Sequence, residues 1–133
     1  MTEIFANAVQ NMCKGEVNQY FNRFKKTDLE SYIEKLIKAT DYEKCVKTDF
    51  DQQLIQDLDL NTLGSTNTEY NKYANQIRLE YKQFSDAVFY QERIKILNTF
   101  LNRKYIFNIK YFRDKYEYIA RDNITKEISN LKK

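Results

Sequence analysis

The chain contains no histidine, no proline and no tryptophan among its 133 residues. Histidine is the usual general base near neutral pH and the commonest metal ligand. Its absence excludes serine–histidine and cysteine–histidine nucleophile pairs and any imidazole-bound metal site. The two glycines, Gly15 and Gly64, leave few turn-forming residues, which disfavours a many-turned β-sandwich. Helices joined by short polar connections are therefore the expected architecture.

Cysteines and long apolar runs are also scarce. Cys13 and Cys45 fit neither a disulfide framework nor a set of metal ligands, so we expect free thiols in a reducing compartment. The N-terminus lacks the apolar core of a signal peptide, and no run approaches the roughly 18 apolar residues of a membrane span. The sequence therefore predicts an intracellular, cytoplasmic protein with no membrane partner.

Aromatic and charged residues are plentiful. The chain has 11 tyrosines and 9 phenylalanines, and its 42% apolar and 31% charged residues are typical of a globular protein. The net charge of +3 is uneven: residues 1–89 carry 11 basic against 14 acidic residues, and residues 90–133 carry 11 against 5. A basic end favours nucleic acid, acidic protein or anionic lipid as a partner, and a solvated helix face with scattered lysines is the alternative.

Apolar residues recur at steps of three and four, the spacing of one face of a helix. The first stripe covers residues 4–24, with Gly15 as a break, and residues 27–30 then form a capping box for a helix that ends near Thr40. The inward residues of that helix are Leu29, Tyr32, Ile33, Leu36 and Ile37. Thr48 or Asp49 can cap a third helix, whose inward residues are Phe50, Leu54, Ile55, Leu58 and Leu63. Gly64 follows it, where a helix commonly ends in a left-handed residue.

Three more helices are predicted after residue 65. Residues 65–68 are a loop with capping potential, Ser85 or Asp86 caps the next helix, and residues 102–108 interrupt the pattern before the last one. The inward residues are Tyr70, Tyr73, Ala74, Ile77, Tyr81 and Phe84 in the first, Val88, Phe89, Ile96, Leu97, Phe100 and Leu101 in the second, and Phe112, Tyr116, Ile119, Ala120, Ile124, Ile128 and Leu131 in the third. No convincing period-two run occurs. We therefore expect an all-α fold, one compact helical domain over residues 1–133 with about five to seven helices.

Several sparse motifs in the middle and C-terminal parts carry a family resemblance. They are Asp57-Leu58-Asp59-Leu60-Asn61-Thr62-Leu63-Gly64, Tyr70-x-x-Tyr73-x-x-x-Ile77-Arg78-x-Glu80-Tyr81, Arg93-x-x-x-Leu97-x-x-Phe100-Leu101, Ile106-Phe107 with Phe112, and Ala120-Arg121-x-Asn123-Ile124-x-x-Glu127. In this order and spacing they resemble the predicted metal-dependent phosphohydrolases of the HD superfamily, from about Phe5 to the C-terminus. The resemblance implies a helical bundle, here a truncated one.

The residues that would bind metal in that family are mostly replaced. Members hold a divalent metal with a histidine, a His-Asp doublet and a later aspartate, an arrangement suited to hydrolysis of phosphate esters. The later aspartate matches Asp59, but the doublet falls on Ala6-Asn7, and the first histidine would lie upstream of Met1. The resemblance therefore implies a pseudoenzyme with no metal and no cofactor, in which Asp59 is a vestigial acid with Arg78 or Arg121 as its candidate partner.

Three arginines are candidates for contacts with phosphate or another ligand: Arg78, Arg93 and Arg121. Guanidinium geometry suits phosphate, but structural ion pairs are the alternative at each position. A separate stretch interleaves aromatic and basic residues, a pattern that binds single-stranded nucleic acid. Its candidate contacts are Arg103, Lys104, Tyr105, Lys110, Tyr111 and Arg113. Ile106, Phe107 and Phe112 are expected in the core, so a packed core with a basic rim and a protein interface are the alternatives.

Three functional hypotheses follow. The first is a catalytically inactive protein-binding module, a regulator, accessory subunit or virus-encoded inhibitor, whose partner is another protein or a second copy of itself. Its interface is placed on Ile4, Phe5, Val9 and Met12, because loss of the first ligand helix would uncover apolar surface. The second is a protein that binds nucleotide or nucleic acid without hydrolysis. The third is an enzyme with a metal site rebuilt from Asp57 and Asp59 together with Asp49, Asp51 or Glu80. Asp57 and Asp59 cannot form such a site alone, because i and i+2 point about 200° apart on a helix.

Overall fold

A computed structural model describes residues 26–41 and 48–133, and within these ranges every regular element is helical. The all-α prediction is therefore confirmed. The elements are α1 (Lys26–Ala39), α2 (Phe50–Leu60), a 3₁₀ turn (Asn61–Gly64), α3 (Asn67–Glu80), α4 (Asp86–Leu101), α5 (Lys110–Phe112), a π-helical turn (Arg113–Glu117) and α6 (Tyr118–Leu131). The last three follow one another directly, so residues 110–131 form an uninterrupted helical run.

The chain divides into two compact units, Met1–Gln56 and Asp57–Lys133. The expectation of one domain over residues 1–133 stays a prediction. The predicted helical stripe over residues 4–24 and both cysteines lie outside the described residues.

Within the first unit, side chains join α1 to the start of α2. Gln56 Nε2 donates to the carbonyl oxygen of Ala39 at 2.6 Å. The Tyr32 hydroxyl donates to Asp51, and Lys35 forms an ion pair with Asp49. Hydrogen bonding to Asp51 raises the pKa of Tyr32, and the contact with Lys35 lowers the pKa of Asp49.

The observed starts of α2, α3 and α4 agree with the predicted caps, whereas α1 already begins at Lys26, before the capping box predicted over residues 27–30. Asp49 Oδ1 accepts from the Gln52 amide at 2.9 Å, and the Asp49 amide donates to Gln52 Oε1 at 3.0 Å, which selects Asp49 over Thr48. Thr66 and Glu69 form a capping box at α3. The Ser85 hydroxyl oxygen accepts from the Val88 amide at 3.4 Å, so Ser85 is the N-cap of α4.

The core of the second unit combines the end of α2, the 3₁₀ turn, α3, α4, the residues just before α5, α5 itself and α6. Its buried apolar residues are Leu60, Leu63, Tyr70, Ile77, Leu97, Phe100, Ile106, Phe107, Phe112, Ala120, Ile124 and Ile128. The burial of Ile106, Phe107 and Phe112 confirms their predicted place in the core. The run from 110 to 131 packs on the 3₁₀ turn and on α4, so it is central to this unit.

Gly64 is needed for close packing, and the predicted left-handed conformation is wrong. It has no positive φ and lies in the 3₁₀ turn. A Cβ atom at Gly64 would lie 2.6 Å from the Cβ of Tyr116 in the π-helical turn. Glycine therefore allows two backbone segments to approach more closely than a side chain would permit.

Eight residues predicted to face inward are exposed: Leu29, Tyr32, Phe50, Leu58, Phe84, Val88, Ile96 and Ile119. In α4 the buried positions are Arg93, Leu97 and Phe100, which follow helical spacing of four and three. The inward face of α4 thus includes the charged residue Arg93 beside the apolar residues Leu97 and Phe100. Val88 and Ile96, which the apolar pattern places on this face, are exposed instead.

Candidate functional site

A mostly buried polar cluster joins α3, α4 and α6. Arg93 Nε donates to Glu127 Oε1 at 2.8 Å, and a terminal guanidinium nitrogen donates to Glu127 Oε2 at 3.2 Å. The Tyr70 hydroxyl also donates to Glu127. The side chains of Arg93 and Glu127 are only 3% and 11% exposed. With Tyr73, whose ring centroid is 5.9 Å from the Arg93 guanidinium carbon, these residues form the Arg93–Glu127 cluster.

The electrostatics of this cluster favour a charged pair surrounded by neutral phenols. Burial alone would lower the pKa of Arg93, but the hydrogen bond and charge of Glu127 raise it above its usual value. Burial raises the pKa of Tyr70 far above its usual value, and Glu127 adds to that shift. Burial likewise raises the pKa of Tyr73, where Arg93 opposes the shift and the charge of half-buried Asp59 adds to it.

Two further acids hold the segment between α4 and α5. Asp57 is buried at the end of α2, and its carboxylate accepts from the Asn108 and Ile109 amides, both at 2.8 Å. Burial raises the pKa of the Asp57 carboxyl, while these amides act in the opposite direction. Glu117 accepts from the Ile106 amide at 2.7 Å and the Phe107 amide at 3.1 Å. Four consecutive backbone amides are therefore satisfied by two carboxylates.

The other candidate arginines are also engaged inside the fold. Arg78 pairs with Asp86 at 2.6 Å and donates to the carbonyl oxygens of Tyr81 and Phe84. Arg121 pairs with Glu117 at 3.0 Å and donates to the carbonyl oxygens of Leu101, Arg103 and Lys104. Both arginines thus have partners other than Asp59, and the pairing of Asp59 with one of them stays a prediction. Contact of the three arginines with phosphate also stays a prediction.

The six residues predicted to contact nucleic acid lie between the end of α4 and the first residue of the π-helical turn. Tyr105 is 49% exposed, and the Arg113 guanidinium carbon and the Lys104 ammonium lie 4.6 and 5.5 Å from its ring centroid. Arg113 also donates to the Asn108 carbonyl oxygen at 2.6 Å. Arg103 lies over the Phe100 ring at 5.0 Å. Two cations therefore lie close to the half-exposed ring of Tyr105.

A second tyrosine has the same kind of environment. Tyr111 is 63% exposed, and the Lys115 ammonium lies 5.7 Å from its ring centroid. Side-chain hydrogen bonding to Tyr116, and to a smaller extent to Tyr111, raises the pKa of Lys115. Lys110 pairs with Asp114 at 2.6 Å. We call the combined set the basic–aromatic surface: Arg103, Lys104, Tyr105, Lys110, Tyr111, Arg113 and Lys115.

Sequence reasoning missed some of these residues. Lys115 could have been found, because it lies four residues after Tyr111 and so shares its helix face. The roles of Asp57 and Glu117 had no local signal, since their backbone partners depend on the tertiary path of residues 106–109.

The remaining predicted residues lie outside the described part of the chain. These include Ile4, Phe5, Val9 and Met12, and the Ala6-Asn7 pair. Across residues 26–41 and 48–133 no group of three histidine, cysteine or acidic side chains is placed to hold a metal ion. An open polar groove with a cavity volume of about 230 Å³ lies between α3 and α6, lined by Asn67, Asn71, Thr125, Lys126, Ser129 and Asn130. Arg78, Arg93 and Arg121 do not line it.

Comparison of the chain with protein-family models, with curated proteins and with solved structures gives no match. The resemblance to the HD superfamily thus rests on the sequence motifs alone. None of the helices in the described ranges has the length and apolar character needed to cross a membrane.

Proposed function

We propose that the chain is a non-catalytic helical binding module, a regulator or accessory subunit that acts through a partner and not on a substrate. The observation that supports it best is the use of Glu127. Both of its carboxylate oxygens accept hydrogen bonds from within the protein, from Arg93 and Tyr70. A general acid or base must reach the proton it transfers. Glu127 is instead committed to joining three helices.

The same commitment applies to the other mostly buried acids. Asp57 and Glu117 hold the backbone amides of residues 106–109. The buried carboxylates therefore stabilise the fold, whereas cations and tyrosines are exposed at the surface. This division favours binding over turnover.

The identity of the partner is a further part of the proposal. Another protein or a second copy of the chain, bound through Ile4, Phe5, Val9 and Met12, remains the proposal drawn from the sequence. Nucleic acid is the second candidate, and the exposed basic–aromatic surface favours it. Descent from an HD phosphohydrolase that lost its metal ligands belongs to the same proposal.

The test combines a search for turnover with a search for ligands. The purified chain is assayed on generic phosphomonoester and phosphodiester substrates with added Mn²⁺, beside an Asp59→Asn variant. We expect no turnover by either protein. Turnover that disappears in Asp59→Asn would contradict the proposal and favour a rebuilt metal site.

A thermal-shift series with nucleotides tests the alternative of a nucleotide-binding protein. We expect a flat response, because the three candidate arginines already have internal partners. Stabilisation that grows with nucleotide concentration would show binding to the native state and would favour the alternative.

A further inference from the structure

The basic–aromatic surface concentrates positive charge on a short segment. Residues 103–115 contain five cations, Arg103, Lys104, Lys110, Arg113 and Lys115, and one acid, Asp114. Asp114 is paired with Lys110, while the other four cations lie beside aromatic rings. The local field is therefore positive and favours an anionic partner.

Helix geometry spreads this surface over the solvent side of α5. Phe112 faces the core, so steps of about 100° per residue place Tyr111 and Arg113 on opposite flanks of the helix. Lys110 then falls between them on the outer side. Tyr105 lies against the Arg113 flank, and Lys115 lies against Tyr111. Each exposed ring thus lies beside a cation of this run, Tyr105 beside Arg113 and Tyr111 beside Lys115.

The surface is also held in place before any partner binds. Asp57 and Glu117 fix the amides of residues 106–109, directly between Tyr105 and Lys110. Ile106, Phe107 and Phe112 anchor the same segment in the core. Binding to a preordered segment costs little conformational entropy.

From this combination we infer that the basic–aromatic surface binds single-stranded nucleic acid, with bases stacked on Tyr105 and Tyr111 and phosphates neutralised by the surrounding cations. The inference rests on the proposed function and names its partner. Aromatic rings beside cations are the usual platform for single strands, because each base offers a free face for stacking. A duplex keeps those faces inside its own stack.

Fluorescence anisotropy with labelled single-stranded DNA and RNA of mixed sequence, about 16 nucleotides long, tests this inference. Duplexes of the same sequences and polyglutamate are the comparison ligands. We expect the single strands to bind more tightly than either, with affinity that falls steeply between about 50 and 200 mM salt.

Variants locate the site. Tyr105→Ala and Tyr111→Ala should each weaken single-strand binding by about five- to a hundredfold. The triple variant Lys104→Ala, Lys110→Ala and Lys115→Ala should lower affinity and reduce the salt slope by about 0.7 for each phosphate that it no longer neutralises. The matched control is Lys82→Ala, Lys95→Ala and Lys126→Ala, which removes the same charge from other exposed positions.

Three outcomes would overturn the inference: no single-strand binding at low salt, equal weakening by the control variant, or preference for polyglutamate or duplex. Failure here is distinguishable from failure of the proposed function. If the oligonucleotides do not bind but the chain holds a partner protein saturably, the inference fails and the binding module stands. Substrate turnover would contradict the binding module whatever the oligonucleotides do.

Discussion

The Arg93–Glu127 cluster and the basic–aromatic surface use the same residue types to opposite effect. Both bring tyrosines within reach of cations, and both draw on the last helical run, at Glu127 in one and at residues 110–115 in the other. In the cluster the arginine is almost fully buried and is matched by a carboxylate. At the surface the tyrosines are about half exposed or more, and most of the cations face rings instead of acids.

Burial and ion pairing thus distinguish charged residues that stabilise the fold from charged residues that are accessible to a binding partner. Among the described residues every buried side-chain nitrogen and oxygen has a hydrogen-bond partner. A fully satisfied hydrogen-bond network stabilises one packing arrangement and leaves no unpaired donor or acceptor for a ligand. The residues of the basic–aromatic surface are in contact with solvent, and a ligand can displace that solvent. Variants that attack each side should therefore have very different consequences.

The largest effect is expected from Glu127→Ala. It leaves the Arg93 charge buried without its carboxylate, which should lower the free energy of unfolding by about 3–5 kcal/mol. Urea unfolding measures this loss. The triple variant Tyr70→Phe, Arg93→Met, Glu127→Leu removes both charges and the hydroxyl that donates to Glu127, and it should recover most of the stability. If the single variant loses less than about 1 kcal/mol, the pair does not hold the three helices together.

Asp57→Asn tests the support beneath the surface. One oxygen becomes an amide group that faces a backbone N–H, so we expect a loss of about 1–3 kcal/mol. Amide hydrogen exchange at Asn108 and Ile109 should accelerate, and thermal unfolding should fall to lower temperature. Asp114→Asn is the control, because that acid is exposed. Unchanged exchange at residues 108 and 109 would show that Asp57 does not order this segment.

Tyr70→Phe should have a smaller effect, since the ion pair between Glu127 and Arg93 remains intact. Loss of one hydrogen bond should cost about 1 kcal/mol at neutral pH. The raised pKa of Tyr70 adds a pH dependence: its contribution is complete below the unfolded tyrosine pKa of about 10 and is lost as pH rises toward the folded value. The wild type should therefore lose stability above pH 10 more steeply than Tyr70→Phe. Parallel profiles in urea unfolding would refute this assignment.

The smallest effect is expected from Tyr111→Ala. Its ring is mostly exposed, so the free energy of unfolding should change by less than about 0.5 kcal/mol. Thermal unfolding of the variant beside wild type measures it. A loss above about 1 kcal/mol would place Tyr111 with the structural residues and would erase the contrast with Tyr70.

The sequence was informative where structure depends on neighbours along the chain. Caps at residues 48–49, 65–68 and 85–86 could be predicted because capping needs only residues three positions apart, and the structure selects Asp49, Thr66 and Ser85 among them. The break over residues 102–108 was visible as a gap in the apolar pattern. The exposure of Tyr105 and Tyr111 was also foreseeable, once Ile106, Phe107 and Phe112 were assigned to the core.

Distant partners explain what could not be predicted. A buried Arg93 is stable only because Glu127 lies opposite it, 34 positions later in the chain. Gly64 was assigned to a left-handed end, whereas its reason is the approach of Tyr116 from the π-helical turn. Asp57 had a family-based interpretation near a metal position, but its structural partners are two amides more than 50 positions away.

The most direct test of the account is the single-strand affinity of the Lys104→Ala, Lys110→Ala, Lys115→Ala variant relative to the Lys82→Ala, Lys95→Ala, Lys126→Ala control, at matched thermal stability. The account predicts that the first variant binds at least about tenfold more weakly than the control at low salt, because only it removes cations that neutralise phosphates. Equal affinities of the two variants would contradict it.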